Sequence, residues 1–498
     1  MRLRVPASAD RRSFLASVGA LSAAGVLVGV TPARAARRRG PAALSSDEID
    51  ILLTALSDAE RHGFRHGEFI SDRLGRAIAS RSFGTPAAEG ELKSAIFAYA
   101  RAQHGLRLTP SQFLADWSVR PGPYDPAPSF QAALASGGLQ AWIDSLPPRY
   151  EGYQALCKSL ALYRGYASAG GWKTIAYSDP LELGSKDPRV AQVRARLSIT
   201  DAALAAAAMP ADPQTFDADL QAAVQRFQRR NGLKDDGQVG EPTLDAMNQS
   251  PGQRILQIEA NMERWRWLPR ELPATRIQVN IAAAVLAVYR DGEPVLAMKA
   301  VAGRPTDQTP MLHANISSIV LNPPWHVPTS IATKEIWPKA RKDKGYLARN
   351  QYHVIGGQLV QKAGPKSALG RFKFDFANTF GVYLHDTPVQ SGFARTSRLA
   401  SHGCVRLEQP KALAELLLQN DAAWPPDRID QTIVTDHTVG VPLPERIPLY
   451  ILYWTAFVDN ENQTQFRADA YDWDRQLTTL LYPPKAAAAP AADMINPT

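Results

Sequence analysis

The sequence predicts a multidomain α+β chain: helical units first, then a β-rich domain broken by an insert. Three observations carry this expectation. The chain has 498 residues, and roughly 100–200 residues per domain argues for about three units. Apolar residues recur at helical spacing from Ser45 to about Tyr177 and again to Leu268, with proline-rich breaks at 121–128 and 147–148. From Arg276 the period changes to two, with Ile277, Val279 and Ile281 alternating.

The first segment is read as a leader. Asp10-Arg11-Arg12-Ser13-Phe14-Leu15 opens an apolar run to Val30, and Ala33-Arg34-Ala35 closes it. A charged head, a short apolar middle and an A-x-A end make a secretory signal. The paired arginines before Phe-Leu resemble a twin-arginine signal over residues 1–35, which places the mature protein in the periplasm or cell envelope. No segment suits a membrane span once the leader is removed. Net charge is +8, but residues 1–35 hold five arginines and one aspartate, so cleavage leaves about +4. Mild basicity fits work beside an acidic polymer, and no basic–aromatic interleaving suggests nucleic acid.

After a basic linker over 36–44, a helical scaffold is expected over 45–180. Ser45 and Ser46 precede Asp47-Glu48-Ile49 as an N-cap signal, and Leu92, Ile96 and Tyr99 share a helical stripe. His62 and His66 have ligand spacing, but Gly63 and Gly67 favour a loop and no third ligand is evident, so no metal is assigned. Cys157 sits in a Leu-rich helical run and reads as a small buried apolar residue.

Residues 181–250 form a second unit. Pro188 follows Asp187 at a helix start, Leu220, Val224 and Phe227 line one face of the next helix, and Asn231-Gly232 caps it. Asp236-Gly237-Gln238-Val239-Gly240 is a glycine-rich turn before Pro242-Thr243-Leu244. A connecting helix is expected over 251–274, where Trp265 and Trp267 read as wedges between units rather than sugar platforms.

The β-rich domain is expected over 275–440, sandwich-like, with a hairpin at Asp291-Gly292. Further strands are expected at 318–321, 381–385, 431–436, 449–458 and 464–469, with a Leu-rich helix at 411–419 and a helix over 330–339. The poorly periodic stretch from Pro338 to Gly370 reads as part of a long flap or cap over about 330–372, since structureless loops of that length are usually functional. Residues 441–484 are expected to make a C-terminal hairpin packed on the scaffold and catalytic units, and 485–498 a disordered tail.

Chemistry concentrates in Ser401-His402-Gly403-Cys404-Val405-Arg406. Thiolate, not thiol, is the nucleophile, and a free cysteine with pKa about 8.5 is mostly protonated at neutral pH. His385 lies upstream in a β-rich stretch, and an imidazole able to remove the thiol proton points to acyl transfer through a thioester. Tyr383, two residues before it, shares its strand face. Gly403 and Cys404 offer backbone N–H groups to an oxyanion. His402 is an alternative base or a loop-stiffening side chain. Arg406 and Arg398 are candidates for substrate carboxylates or for structural ion pairs. Trp325 either walls a groove or belongs to the core. A zinc site on His385, His402 and Cys404 is disfavoured, because the last two are spaced poorly for one tetrahedral ion.

Tyr383-Leu384-His385-Asp386-Thr387-Pro388 with Arg398-Leu399-Ala400-Ser401-His402-Gly403-Cys404-Val405-Arg406-Leu407 resembles the signature of the L,D-transpeptidases. Asn322-Pro323-Pro324-Trp325-His326-Val327-Pro328, Gly303-Arg304-Pro305 and Tyr450-Ile451-Leu452-Tyr453-Trp454-Thr455 are similar to that family's larger periplasmic branch, and residues 220–244 resemble its peptidoglycan-binding module. The resemblance implies that Cys404 attacks the third residue of a tetrapeptide stem, that His385 serves as base and then acid, and that a second stem's amine gives a 3→3 crosslink. Many members of that branch carry serine at the position of His402, which favours His385 as the base. The implied partners are peptidoglycan stem peptides, with glycan or stem contact through residues 181–250. No cofactor is implied, because the thioester conserves the energy of the broken amide. Water in place of the amine would make an L,D-carboxypeptidase or a link-cleaving amidase, and loss of activity would leave a wall-binding scaffold.

Overall fold

The computed structural model describes residues 43–83 and 85–483. The expected leader, the linker up to residue 42 and the tail from 485 lie outside the described residues. The protein is multidomain α+β, helical in its first part and β-rich in its second.

Local signals in the sequence set the first helices. Ser45 and Glu48 form a reciprocal capping box at 3.3 and 2.7 Å, which starts helix Ser46–Ser57. It packs with Asp72–Ala79, Pro86–Gln103, Pro126–Ser136 and Leu139–Ser145 around Leu52, Leu92, Ile96 and Phe130. Helix Glu151–Ser168 instead joins the large central core through Tyr153, Leu156, Cys157 and Leu160. His62 faces the Tyr153 hydroxyl at 3.1 Å while His66 pairs with Glu60 at 2.5 Å, so the two rings diverge. Cys157 is buried, and burial pushes its thiol up to about 11.

The second unit comprises helices Pro188–Ser198, Ala202–Ala206, Ala218–Arg230 and Glu241–Asn248 around Val190, Leu220, Val224 and Phe227. Gln228 ties its glycine turn, donating to the Gln238 carbonyl and accepting from Gly237 N–H, both at 2.8 Å.

Helix Pro251–Arg266 runs through the middle of the molecule. Its polar residues are buried with partners: Arg264 meets Asp474 at 2.5 Å, Arg266 meets Glu263 at 2.8 Å, and Asn261 reaches Thr455 Oγ1 at 2.7 Å. Trp265 stacks on Trp454 at 4.6 Å and Trp267 lies 5.5 Å from Trp117. Such pairs add about 0.5–1.5 kcal/mol beyond area burial. Both tryptophans therefore wedge units together.

The β-rich unit has strands β1 (Arg276–Asn280), β2 (Val285–Arg290), β3 (Glu293–Gly303), β4 (Leu312–Leu321), β8 (Phe372–Phe376), β9 (Leu384–His385), β10 (Leu399–Ser401), β11 (Val405–Leu407) and β12 (Val439–Leu452). Their order is β10-β3-β11-β9-β8-β4-β12-β1-β2, and β2 also pairs with β3, so eight strands close into a ring with β10 attached. The β2–β3 hairpin turns at Asp291-Gly292, with φ of 51° and 85°.

Three expectations need correction. The strand expected at 431–436 is the end of helix Pro426–Ile433: Pro426 fits the first helical turn, and Ile429 anchors the helix in the core. Residues 441–452 are not part of a separate hairpin but run in β12, between β4 and β1. Among the described residues, β13 (Ala456–Val458), β14 (Thr464–Phe466) and helix Trp473–Leu481 are the elements beyond it. The flap is ordered. It holds a sheet of β5 (Trp325–His326), β6 (Tyr352–Ile355) and β7 (Gln358–Gln361), and its own core includes Val327, Ile336, Tyr352 and Leu359. Its apolar residues are too scattered for a period to register.

Candidate active site

Strands β9 and β11 run parallel, with Leu384 opposite Val405 and His385 opposite Arg406. The Val405 N–H donates to the Tyr383 carbonyl at 3.1 Å. Leu384 and Val405 are fully buried on one face. Alternation puts Tyr383, His385, Cys404 and Arg406 on the other. Strand β8 extends the row, because Lys373 lies opposite His385. Lys373 thus shares the functional face while Phe372, Phe374 and Phe376 fill the core. His385 stands between two cationic positions, and Cys404 precedes Arg406 by two residues, on the same face.

The cysteine loop is held from both sides. Ser401 Oγ donates to the Cys404 carbonyl at 2.5 Å and accepts from Gly403 N–H at 3.2 Å. Gly403 has φ +103°, where a side chain is strained, and a Cβ there would sit 3.3 Å from the Gln308 carbonyl. Its own carbonyl accepts from Thr309 Oγ1 at 2.7 Å, and the same hydroxyl accepts from Gly303 N–H at 2.8 Å. Tyr471, from beyond the sheet, donates to the Gly303 carbonyl at 2.5 Å.

Burial pushes the Cys404 thiol up, opposed by hydrogen bonds from the Tyr383 backbone N–H and hydroxyl and by the charges of Arg406 and Lys373. Burial, then Arg406, drives His385 down to about 3, while the Asp386 and Leu369 carbonyls act the other way. Both groups are therefore neutral at neutral pH. His385 Nδ1 lies 2.5 Å from the Asp386 carbonyl. A carbonyl only accepts, so Nδ1 carries the ring proton and Nε2 is left as the basic nitrogen. Asp386 itself is pinned, its carboxylate accepting from Arg371 N–H at 2.7 Å and Thr387 N–H at 2.6 Å.

The remaining sequence candidates divide. Trp325 packs on the cap core with its indole close to the Tyr383 hydroxyl, so it joins cap to site. Arg406 is largely buried, and its Nε has no partner among the described residues. His402 Nε2 donates to Glu335 Oε1 of the cap at 2.6 Å, an engagement that argues against a role as base. Arg398 is not brought to the site: it donates to the Ala283 carbonyl at 2.9 Å and the Arg395 carbonyl at 3.2 Å, bracing the turn after β1. Gly403 N–H is already committed to Ser401 in this state, against the expectation that it is free for an oxyanion.

Sequence reasoning passed over Lys373, Glu335, Thr309 and Tyr471. The alternating phenylalanines of β8 were the available signal for Lys373. The other three reach the site through long-range contacts that no local pattern encodes.

Comparisons with known proteins come from three directions. Residues 274–434 match a family model described as the L,D-transpeptidase catalytic domain, 37–160 a scaffold domain, and 186–247 a peptidoglycan binding domain. A curated Haemophilus influenzae protein, named provisionally as an L,D-transpeptidase, is 31% identical over 241 residues, covering 44% of this chain and 48% of that protein. The chain thus spans about half the length of that relative. Among solved structures, an L,D-transpeptidase from Mycobacterium smegmatis is 17% identical over 36% of this chain and 58% of its own, with a TM-score of 0.20. An L,D-transpeptidase from Xylanimonas cellulosilytica is 15% identical over 56% of this chain and 99% of its own, also with a TM-score of 0.20.

Proposed function

We propose, for a chain that belongs to the L,D-transpeptidase family by its catalytic, scaffold and peptidoglycan-binding domains, a cysteine acyl transfer that joins peptidoglycan stems by 3→3 crosslinks. Cys404 Sγ attacks the carbonyl of the third residue of a tetrapeptide stem. His385 Nε2 takes the thiol proton as the C–S bond forms and returns it to the amine of the departing terminal D-alanine. The amine of a second stem then attacks the thioester, the new amide forms, and the thiol is restored.

The observation that supports this reading is the placement of Cys404 and His385 on one face of adjacent parallel strands, with the imidazole proton held by Asp386. Because both groups rest neutral, proton transfer accompanies attack rather than preceding it. With Gly403 N–H turned to Ser401, the Cys404 N–H and the Tyr383 hydroxyl are the oxyanion donors in this reading. Loss of one such donor typically costs about 10²–10³ in rate. Arg406 and Lys373 attract the stem carboxylates, and the cap over β5–β7 closes the groove on the Trp325 side. Residues 186–247 contact peptidoglycan, and the site of action is the periplasm.

The test is mass spectrometry of muropeptides after incubating the mature protein with tetrapeptide substrate. Crosslinked dimers with loss of D-alanine are expected, and Cys404→Ala abolishes them. Tripeptides alone would replace this reading with a carboxypeptidase, and unchanged substrate would leave a wall-binding scaffold. A carbapenem is expected to add one drug mass at Cys404; an adduct on serine would sink the thiol mechanism.

A further inference from the structure

Away from the cysteine, three arginines converge on a cavity of about 100 Å³. It lies where the peptidoglycan-binding domain meets helices 151–168 and 251–266 and the β13–β14 turn. Arg196 is 5% exposed and Arg254 7%. Arg230 enters from helix Ala218–Arg230, and Tyr163, Tyr166 and Phe466 supply apolar walls.

Arg196 lies 3.6 Å over the Trp172 ring and Arg254 4.2 Å over the Phe466 ring, but among the described residues no carboxylate is within hydrogen-bond distance of any of the three arginines. Arg196 donates to the Met247 carbonyl at 3.0 Å and toward Thr200 Oγ1 at 3.4 Å. Arg254 donates to Asn231 Oδ1 at 2.8 Å, Gln257 Oε1 at 2.9 Å and the Ala246 carbonyl at 3.1 Å. Arg230 donates to the Thr200 carbonyl at 2.9 Å and Gln463 Oε1 at 3.3 Å. Every one of these acceptors is neutral. One carboxylate comes near, Asp201 at 3.9 Å from Arg230, and Arg226 already holds both of its oxygens at 2.8 and 2.9 Å. Arg230 Nη2 is buried without a hydrogen-bond partner among the described residues. Burial, reinforced by repulsion from Arg254 and Arg230, brings Arg196 down to about 9, and burial brings Arg254 down to about 10.

Buried cations are ordinarily paired, because desolvation without a counter-charge is costly. Guanidinium groups meet carboxylates in a bidentate fork. We propose that this cavity binds a small carboxylate of amino-acid size, gripped by Arg230 and Arg254, with its apolar part against Tyr163 and Phe466. A free amino acid and the C-terminal residue of a peptide share this chemistry. The site is separate from Cys404 and does not depend on the reaction proposed there. Since its arginines come from the peptidoglycan-binding domain and the central helix, an occupant would also fasten that domain to the rest of the chain.

The test is calorimetric titration of the full mature chain with acetate, alanine, alanyl-alanine and alaninamide. Saturable binding of the carboxylates, absent for alaninamide, is expected. Tighter binding of alanyl-alanine than of alanine assigns a peptide end, and the reverse assigns the free amino acid. Arg230→Gln is expected to weaken binding at least tenfold. So is Gln463→Trp, an exposed substitution that fills the mouth without touching the core, which guards against a folding defect in the first variant. Arg406→Gln should leave it unchanged. No saturation, equal binding of alaninamide, or loss in Arg406→Gln with retention in the other two variants would overturn the site.

Discussion

Glu335 of the cap accepts a hydrogen bond from His402 of the cysteine loop at 2.6 Å, and Arg304 approaches the same carboxylate at 3.8 Å. Cap and cysteine loop are thus joined through His402, the alternative to His385 for the proposed role of base. His402→Gln should keep carbapenem acylation of Cys404 within about tenfold of the parent, whereas His385→Gln should lose about 10²–10⁴. Stopped-flow acylation rates decide between them, and a collapse in His402→Gln alone would exchange the two roles. Glu335→Gln should speed hydrogen exchange in residues 329–370 and leave β9 and β11 unchanged.

The resting charge state of the pair sets a pH profile. Burial raises the Cys404 thiol, and His385 is held at about 3, so no thiolate–imidazolium pair exists beforehand. The competent state, neutral thiol with neutral imidazole, is equally populated across the neutral range. Acylation with His385 as base should therefore be nearly flat from about pH 6 to 8 and fall only in acid, as the imidazole protonates. A roughly tenfold rise per pH unit across that range would mean attack by thiolate formed without help from His385 and would remove it as the base.

Acid stability should follow the buried histidines. His385 and His62 both titrate at about 3 in the folded chain against an ordinary 6.5. Between those values the unfolded chain binds protons that the folded chain does not, so their stabilising contribution is full above about 6.5. It is lost progressively as pH falls toward 3, by up to about 1.4 kcal/mol per pH unit for each group. Urea midpoints measured from pH 7 to 4 should decline, and less steeply in His62→Gln than in the parent. An unchanged slope in that variant would show that His62 is already protonated in the folded state or shielded when unfolded.

Thr309 is fully buried and bridges Gly303 N–H to the Gly403 carbonyl. Thr309→Val keeps the shape but strands a buried donor and a buried acceptor, at a cost of about 1–3 kcal/mol each. The melting temperature should fall by several degrees, and acylation by Cys404 should slow by more than the fraction unfolded accounts for. Equal rates in folded Thr309→Val would remove the hydroxyl from any part in setting the loop.

The sequence made some of this legible and not the rest, for physical reasons. The hairpin at Asp291-Gly292 and the capped helices follow from local backbone preference, so they could be read directly. Cys404, His385 and Tyr383 announced themselves because a thiol, an imidazole and strand alternation each carry local meaning. Arg398 reads from sequence either as a carboxylate binder or as a structural brace, because a guanidinium serves a carbonyl as readily as a carboxylate, and its bonds at the turn after β1 are of the second kind. Gly403 N–H was assigned to an oxyanion since nothing local shows that Ser401 turns back to claim it. The cap looked unstructured because its small core joins Val327 to Leu359 across a stretch without periodicity. Residues 426–433 gave an ambiguous short apolar signal, which the preceding prolines resolve as helix.

Tyr471 reaches back to the Gly303 carbonyl, and through Thr309 that contact steadies the turn carrying the sulfur. Synthesis delivers this tyrosine only after every strand of the ring has been made. A newly made chain would accordingly hold its thiol on an unbraced turn until the late segment docks, so that readiness to react arrives with the last step of folding instead of ahead of it.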